Sequence, residues 1–86
     1  MKIIKRNGSE VEFDVQKIVN AIKAANAEAP ADEQLSDREV KFASYNVQDE
    51  CADAGHTVTV EEVQDLVEDQ LMALDRFTVA RKYIIY

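Results

Sequence analysis

Cysteine, histidine, proline, glycine and tryptophan are scarce or missing in this sequence. It has one cysteine, one histidine, one proline, two glycines and no tryptophan among 86 residues. One thiol cannot form an internal disulfide, and Cys51 with His56 does not provide the ligand set of a zinc or iron–sulfur site. The few glycines and prolines, with 47% hydrophobic and 31% charged residues, indicate a single folded, helix-rich globular domain.

Long apolar runs are also missing. No stretch approaches the roughly 18 residues that a membrane-spanning helix requires. The first residues, MKIIKRNG, lack the apolar segment of a secretory signal peptide. We therefore expect a cytoplasmic protein without a membrane partner.

The groups that make up a catalytic centre are missing as well. The sequence has no nucleophile paired with a histidine and a carboxylate, no glycine-rich phosphate loop and no Lys-Ser/Thr motif of the P-loop kind. Cys51 falls on the apolar stripe of a predicted helix, which is typical of a small buried hydrophobe. His56 lies beside a helix-ending glycine and is expected to face solvent. We therefore predict no catalytic residue and no metal site.

Acidic residues outnumber basic ones, but unevenly along the chain. The formal charge is −7, from 10 Lys and Arg residues against 17 Asp and Glu residues. By segment it is +2 over residues 1–25, −12 over 26–75 and +3 over 76–86. The net negative charge argues against nonspecific binding of nucleic acid. If the fold brings the first strand and the last helix together, the two basic ends form one positive site that suits a small anion.

A β-hairpin is predicted over residues 2–13. The segments KIIKR and SEVEF flank Asn7-Gly8, a strong signal for a two-residue type I′ turn, in which both central residues need positive φ. Asp14 follows as a predicted helix N-cap, and Phe13 and Ile18 are spaced to form a hydrophobic staple across it.

Apolar periodicity and capping signals predict helices after the hairpin. The apolar periodicity of the first helix ends before a predicted loop at residues 28–35, which contains the proline. The second begins with a capping box of Ser36 and Glu39 and is expected to run to about Ala54, where Gly55 ends it.

A short strand is predicted within HTVTV, residues 56–60. Thr59 and Glu62 form a further capping box that opens the third helix. A fourth helix is predicted to begin at Asp75, and the composition of its tail, KYIIY, suits either helix or strand. With the hairpin, these elements predict an α+β fold, a four-helix domain capped by a small three-stranded β-sheet in which the hairpin acts as a lid.

The opening segment, IIKRNGSEVEFDVQKI, resembles the ATP-cone domain. That family begins with a hydrophobic pair, Lys-Arg, an Asp/Asn-Gly turn, a second strand ending in an aromatic or aliphatic residue with Asp or Asn, and then Lys-Ile or Lys-Leu. The segments VTVEEVQDLVEDQLM and ARKYIIY resemble its later helices, so the likeness covers nearly the whole chain. ARKYIIY is most similar to the domain at the N-terminus of anaerobic (class III) ribonucleoside-triphosphate reductase.

The resemblance implies an allosteric regulator rather than an enzyme. An ATP-cone binds ATP or dATP, with Mg²⁺ expected from the charge of the triphosphate, and sets the activity of the reductase by changing how subunits associate. The expected partners are the catalytic domain of the parent reductase and its other subunits. Residues 1–86 are then a single domain excised from the N-terminus of a larger protein.

Carried over by position, the resemblance implies a nucleotide site. Lys5 and Arg6 match the pair that contacts the triphosphate, while Ile3 and Ile18 match apolar contacts near the base or sugar. Asp14 matches a polar contact near the adenine. The full predicted set is Ile3, Lys5, Arg6, Glu12, Asp14, Lys17, Ile18, Val63 and Gln64.

Three positions depart from the family's pattern. Val11 stands where many relatives have a polar or acidic residue, so Glu12 is considered for base recognition in its place. Gln64 stands where the polar residue can be histidine, and glutamine cannot carry a positive charge. Val60 is the third departure.

Two other interpretations are open from the sequence. The hairpin cations can be solvated edge-strand charges that pair with carboxylates, in a helical docking module whose acidic surface meets a protein partner. The domain can also be the ATP-cone of a nucleotide-sensing transcriptional repressor. Such a cone normally follows an N-terminal zinc ribbon, and this sequence has no cysteine-rich segment.

Overall fold

The computed structural model describes residues 1–85, of which the last is described by its backbone alone. The predicted α+β class, with four helices and a three-stranded sheet, is confirmed. The strands are β1 (Lys2–Ile4), β2 (Glu10–Glu12) and β3 (Val58–Thr59), and a 3₁₀ turn (Ala31–Glu33) lies in the loop after the first helix. The helices are α1 (Val15–Ala27), α2 (Asp37–Ala52), α3 (Val60–Ala73) and α4 (Phe77–Ile85).

The sheet has the order β2-β1-β3, with β1 in the centre. Strand β1 is antiparallel to β2, with Ile3 opposite Val11, and parallel to β3, with Ile3 opposite Val58. The predicted pairing of the short strand with the hairpin is therefore confirmed. Because β3 leads directly into α3, this pairing fixes the hairpin beside the first turn of α3.

The hairpin turn differs from the predicted type I′ turn. The Gly8 N–H donates to the Lys5 carbonyl at 2.9 Å, so the central turn residues are Arg6 and Asn7. Within residues 1–85, positive φ occurs at Gly8 (86°), Gly55 and Asp75, and not at Asn7. This arrangement leaves the left-handed position to glycine, while the Asn7 Oδ1 accepts from the Ser9 N–H at 3.0 Å.

Side-chain caps begin the first two helices as predicted. The Asp14 carboxylate accepts from the Gln16 N–H at 3.0 Å at the start of α1. Ser36 and Glu39 form both hydrogen bonds of the capping box at the start of α2. Gly55 takes a φ of 78° just after α2, as the predicted stop requires.

The start of α3 and the junction between α3 and α4 depart from prediction. The Thr59 hydroxyl caps the Glu62 N–H at 3.1 Å, but the Glu62 carboxylate does not return to the Thr59 N–H. Asp75 does not begin α4; its φ of 58° ends α3. The Arg76 N–H donates to the Leu71 carbonyl at 3.0 Å, which closes a Schellman-type end and delays α4 to Phe77.

The tail of α4 settles one alternative that the sequence left open. Residues 77–85 are helical, so the strand alternative for KYIIY is excluded as far as Ile85. Tyr86, the last residue of that prediction, lies outside the described residues.

The core is built by all four helices and by β3. Helices α1 and α3 each pack against both α2 and α4. Cys51 is 3% exposed, which confirms its predicted role as a small buried hydrophobe. The buried apolar residues are Ile18, Val19, Ile22, Ala25, Ala29, Leu35, Val40, Ala43, Val47, Cys51, Val58, Val63, Val67, Leu71, Val79 and Ala80.

Arg76, one of the three cations in the basic C-terminal segment, does not join the hairpin cations as the charge pattern predicts. Arg76 donates to the Glu39 carboxylate at 3.2 Å and to the Leu74 carbonyl at 2.8 Å. It therefore ties the start of α2 to the end of α3, about 20 Å from the sheet if α3 rises 1.5 Å per residue. The prediction failed for Arg76 because a carboxylate close to it in the fold, but 37 residues away in sequence, takes up its charge.

In the part of the chain that the structure describes, no helix is both long and apolar enough to cross a bilayer. Within the same residues, no group of three or more His, Cys, Asp or Glu side chains is arranged to hold a metal ion.

Candidate functional site

An open groove lies between the tip of the hairpin and the first turns of α3. It has a volume of about 470 Å³ and is lined by Lys5, Arg6, Asn7, Val60 and Gln64. We call these five residues the hairpin groove. The two residues from α3 are four positions apart and therefore share one face of the helix. The volume of the groove falls in the range of small-molecule sites, roughly 300 to 1,000 Å³.

The fold explains why two cations meet α3 at this place. Lys5 and Arg6 are the first residues after β1, and β1 is paired with β3, which continues into α3. The turn keeps both side chains exposed. The groove therefore combines two positive charges with an apolar residue, Val60, and an amide, Gln64.

The two cations have different surroundings. The Arg6 Nε donates to the Glu61 carboxylate at 2.7 Å, and both side chains are largely exposed. A hydrogen bond from its own backbone N–H, and then the bond from Arg6, lower the pKa of Glu61. Among residues 1–85, Lys5 has no carboxylate within ion-pair distance. One cation is thus held by the protein, and the other is open to a ligand.

Three other predicted polar site residues lie outside the hairpin groove. Glu12 is at the far end of β2, where Lys2 lies 3.1 Å from its carboxylate and the chain's amino group 3.3 Å away. The bond from Lys2 is the main cause of its lowered pKa. Asp14 caps α1, and Lys17 is exposed in the first turn of that helix.

The three predicted apolar contacts are mainly core residues. Ile18 and Val63 are 8% and 7% exposed, and Ile3 is half-buried and packs against the core. Val63 precedes Gln64 on α3, and Ile3 lies two residues before Lys5 on β1. These side chains therefore support the elements that carry the groove, and little of Ile18 or Val63 is left for a ligand to touch.

Charge separates the hairpin groove from other hollows of similar size. A hollow of about 350 Å³ beside the N-terminus contains Lys2, but that ammonium group is paired with Glu12. Another of about 310 Å³ is lined in part by three carboxylates, those of Glu50, Glu62 and Asp65. A polyphosphate is repelled by carboxylates and attracted by a cation that has no carboxylate partner. Lys5 is such a cation within residues 1–85, so the hairpin groove is the better phosphate site.

His56 makes an ion pair that the sequence did not reveal. It is exposed, as predicted, and its Nε2 lies 2.9 Å from the Glu62 carboxylate while its Nδ1 lies 3.1 Å from the Ala54 carbonyl. Both partners only accept hydrogen bonds, so the arrangement suits a doubly protonated imidazolium. The hydrogen bond and charge of Glu62 raise the pKa of His56. This pair also explains why Glu62 leaves the capping box of α3 incomplete.

The His56 pKa is expected to lie above its ordinary value of 6.5 and to fall toward that value in Glu62→Gln. A raised pKa means that the pair stabilises the fold below pH 6.5, and that this contribution is lost as the pH rises through the folded-state pKa. An NMR titration of the imidazole resonances measures the change. Glu28→Gln, an exposed acid at the end of α1, is the matched control; an equal shift in that variant would contradict the assignment.

Three residues at or beside the groove were not predicted as site residues: Asn7 and Val60, which line it, and Glu61, which pairs with Arg6. Asn7 was treated only as a turn residue, Val60 only as a departure from the family's pattern, and Glu61 was not considered. The position of Glu61 in the first turn of α3 was available from the sequence. Its partner was not, because Arg6 is 55 residues away and is brought near only by the pairing of β1 with β3.

Comparisons with known proteins agree with this architecture. Residues 1–86 match the ATP cone domain family. The chain is 38% identical over 90 residues to an anaerobic ribonucleoside-triphosphate reductase from Haemophilus influenzae, covering 98% of this chain and 12% of that relative. It is 36% identical over 93 residues to a ribonucleoside-diphosphate reductase subunit alpha from Chlamydia pneumoniae, covering 98% of this chain and 9% of that relative. The chain thus spans about a tenth of the length of these curated relatives.

Proposed function

This chain belongs to the ATP cone domain family, and we propose that it is an allosteric domain that binds ATP or dATP in the hairpin groove. The observation that carries the proposal is the placement of Lys5 and Arg6 over the first turns of α3. Neither cation is buried, so both can reach a polyphosphate without a change in the core.

The triphosphate is the part of the nucleotide that this groove suits best. Arg6 offers a planar guanidinium that can contact two phosphate oxygens at once, and Lys5 offers a compact ammonium group. The Gln64 amide can add a neutral hydrogen bond from the opposite wall. Mg²⁺ would arrive with the triphosphate, whose oxygens supply the ligands that this ion prefers.

We assign the nucleoside to the other end of the hairpin, opposite the tip, where β2 leads into α1. Glu12, Asp14 and Lys17 lie where β2 turns into α1, and we assign them polar contacts to the base or sugar. Ile3, Ile18 and Val63 hold β1, α1 and α3 in position and offer their exposed edges. Two things support this assignment. The first is the family's pattern, and the second is the paired strands β2, β1 and β3, which connect these residues to the groove.

The domain regulates and does not itself catalyse a reaction. We propose that it is the N-terminal domain of a longer ribonucleotide reductase and that nucleotide binding sets the reductase's activity through subunit association. Its partners are then the catalytic domain and the other subunits. The small share of each relative that the chain covers supports this assignment, since 9–12% of a reductase is the size of a regulatory domain.

Titration calorimetry with Mg²⁺ and either ATP or dATP tests the proposed function. Binding should be measurable for both nucleotides and much weaker for adenosine, which lacks the phosphates. In a thermal melt, ATP at 100 times its Kd should stabilise the fold by about 2.7 kcal/mol, which is several degrees for a domain of this size. Absence of heat and of any shift with both nucleotides would contradict the proposal and favour the docking module.

ATP and dATP are expected to give different oligomer distributions of the full-length protein. The two nucleotides differ only at the 2′-hydroxyl, so this group must favour different arrangements of the hairpin on α1 and α3. Coupling of this kind typically changes an association constant about 5- to 150-fold. Sedimentation at saturating nucleotide measures the distributions, and Lys5→Ala should remove the difference. Identical distributions despite confirmed binding would show that this domain binds without signalling.

A further inference from the structure

The Arg6–Glu61 pair places a carboxylate of the protein on a cation of the hairpin groove. The Glu61 carboxylate accepts from the Arg6 Nε at 2.7 Å. A guanidinium is a donor that binds phosphate as readily as carboxylate. Glu61 thus uses a donor that a phosphate group of the ligand would use.

We propose that Glu61 is a built-in competitor of the nucleotide, which holds Arg6 until a phosphate replaces it. The inference rests on the proposed function and adds a regulatory element to the same site. Binding in the hairpin groove is then an exchange at Arg6, from the protein's carboxylate to the ligand's phosphate. At Lys5 it is a simple addition, because that cation has no carboxylate partner within residues 1–85.

The exposure of the pair makes this exchange possible. The Arg6 side chain is 76% exposed and that of Glu61 is 48% exposed, so both groups can return to water when they separate. Exposed ion pairs are weak, and the contact should lower ligand affinity by a factor of about 1.5 to 5. A buried pair would resist exchange, whereas this one can be displaced by a ligand with several negative charges.

The proposal differs from a general effect of negative charge. The whole chain carries a formal charge of −7, so removing any nearby carboxylate should attract an anion slightly more. Glu10 provides the comparison, since it is exposed on β2, lies opposite Ile4 in the hairpin and makes no ion pair within residues 1–85. Glu10→Gln and Glu61→Gln change the charge equally, but only the second frees Arg6.

Titration calorimetry with ATP and Mg²⁺ on four variants tests the proposal. Glu61→Gln should bind about 1.5 to 5 times more tightly than Glu10→Gln. The advantage should vanish when both substitutions are repeated in an Arg6→Ala background, because Arg6 is then no longer present to be released. This loss is the signature of competition for one cation.

Two results would overturn the proposal while leaving the proposed function intact. The first is equal affinity of Glu61→Gln and Glu10→Gln, with binding by the unmodified protein. The second is an advantage of Glu61→Gln that persists without Arg6. If no variant binds ATP, the proposed function fails and this inference fails with it.

Discussion

Lys5→Ala and Arg6→Ala are each expected to weaken ATP binding by about 10-fold or more while leaving the stability of the fold almost unchanged. A hydrogen bond to a charged group is worth about 1.5 to 3 kcal/mol, which corresponds to roughly 10- to 150-fold in Kd. Both side chains are exposed, and substitutions at such positions usually change the free energy of unfolding by less than about 0.5 kcal/mol. Calorimetry gives the affinity, and urea denaturation gives the stability.

Lys41→Ala is the matched control for this experiment. Lys41 is an exposed cation on α2 and does not line the hairpin groove, so its removal changes the net charge by the same amount. Its affinity for ATP should stay within about two-fold of the unmodified protein, because exposed charges beyond a Debye length of roughly 10 Å are screened. Equal losses in all three variants would mean that the net charge, and not the hairpin, controls binding.

Leu71→Ala is expected to be the most damaging single substitution for stability among those considered. Leu71 is fully buried on α3, and its carbonyl also accepts the bond that ends that helix. Truncating a buried leucine to alanine costs about 2 to 5 kcal/mol. An 86-residue domain has a total stability of roughly 4 to 13 kcal/mol, so the loss is a large share of it.

Met72→Ala, at the next position of the same helix, is the comparison for Leu71→Ala. Met72 is 44% exposed, so its truncation leaves no closed cavity and should cost well under half as much. Urea denaturation of both variants measures the difference. A loss at Met72 equal to that at Leu71 would contradict the assignment of the core.

The parts of the fold that the sequence predicted are those that local chemistry determines. Asp14 and Ser36 cap their helices as expected, because a cap depends on residues within one turn. Apolar periodicity likewise predicted the helices, and Cys51 is buried as its place on the apolar stripe of α2 predicted. The hairpin was located correctly for the same reason.

The predictions that failed depend on contacts or on competition that the local pattern does not show. At the hairpin tip, Asn7-Gly8 permits two turns, and the one adopted keeps Asn7 at negative φ. Asp75 has the composition of an N-cap, but the end of α3 uses it as a left-handed residue. Glu62 was expected to complete a capping box, yet His56 takes its carboxylate.

In the candidate site, too, the local motif could be predicted from the sequence and the long-range contact could not. Lys5 and Arg6 could be assigned to a phosphate site because their positions follow a motif. The partner of Arg6 could not, since Glu61 reaches it only through the parallel pairing of β1 with β3. The separation of Glu12 from the groove follows from the strand register, which places Glu12 opposite Lys2 at the end of the hairpin away from its tip.

An amide ¹H–¹⁵N NMR titration with ATP and Mg²⁺ tests most directly whether the nucleotide binds in the hairpin groove. The account predicts that the largest, saturable shift changes fall at residues 5–7 and 60–64, which are the hairpin tip and the first turns of α3, and at residues 12–18, to which the nucleoside is assigned. It predicts small changes at Met72 and Phe77, which lie on a separate apolar hollow near the far end of α3. Saturable binding with its largest changes at that hollow, or no changes at residues 5–7, would contradict the account.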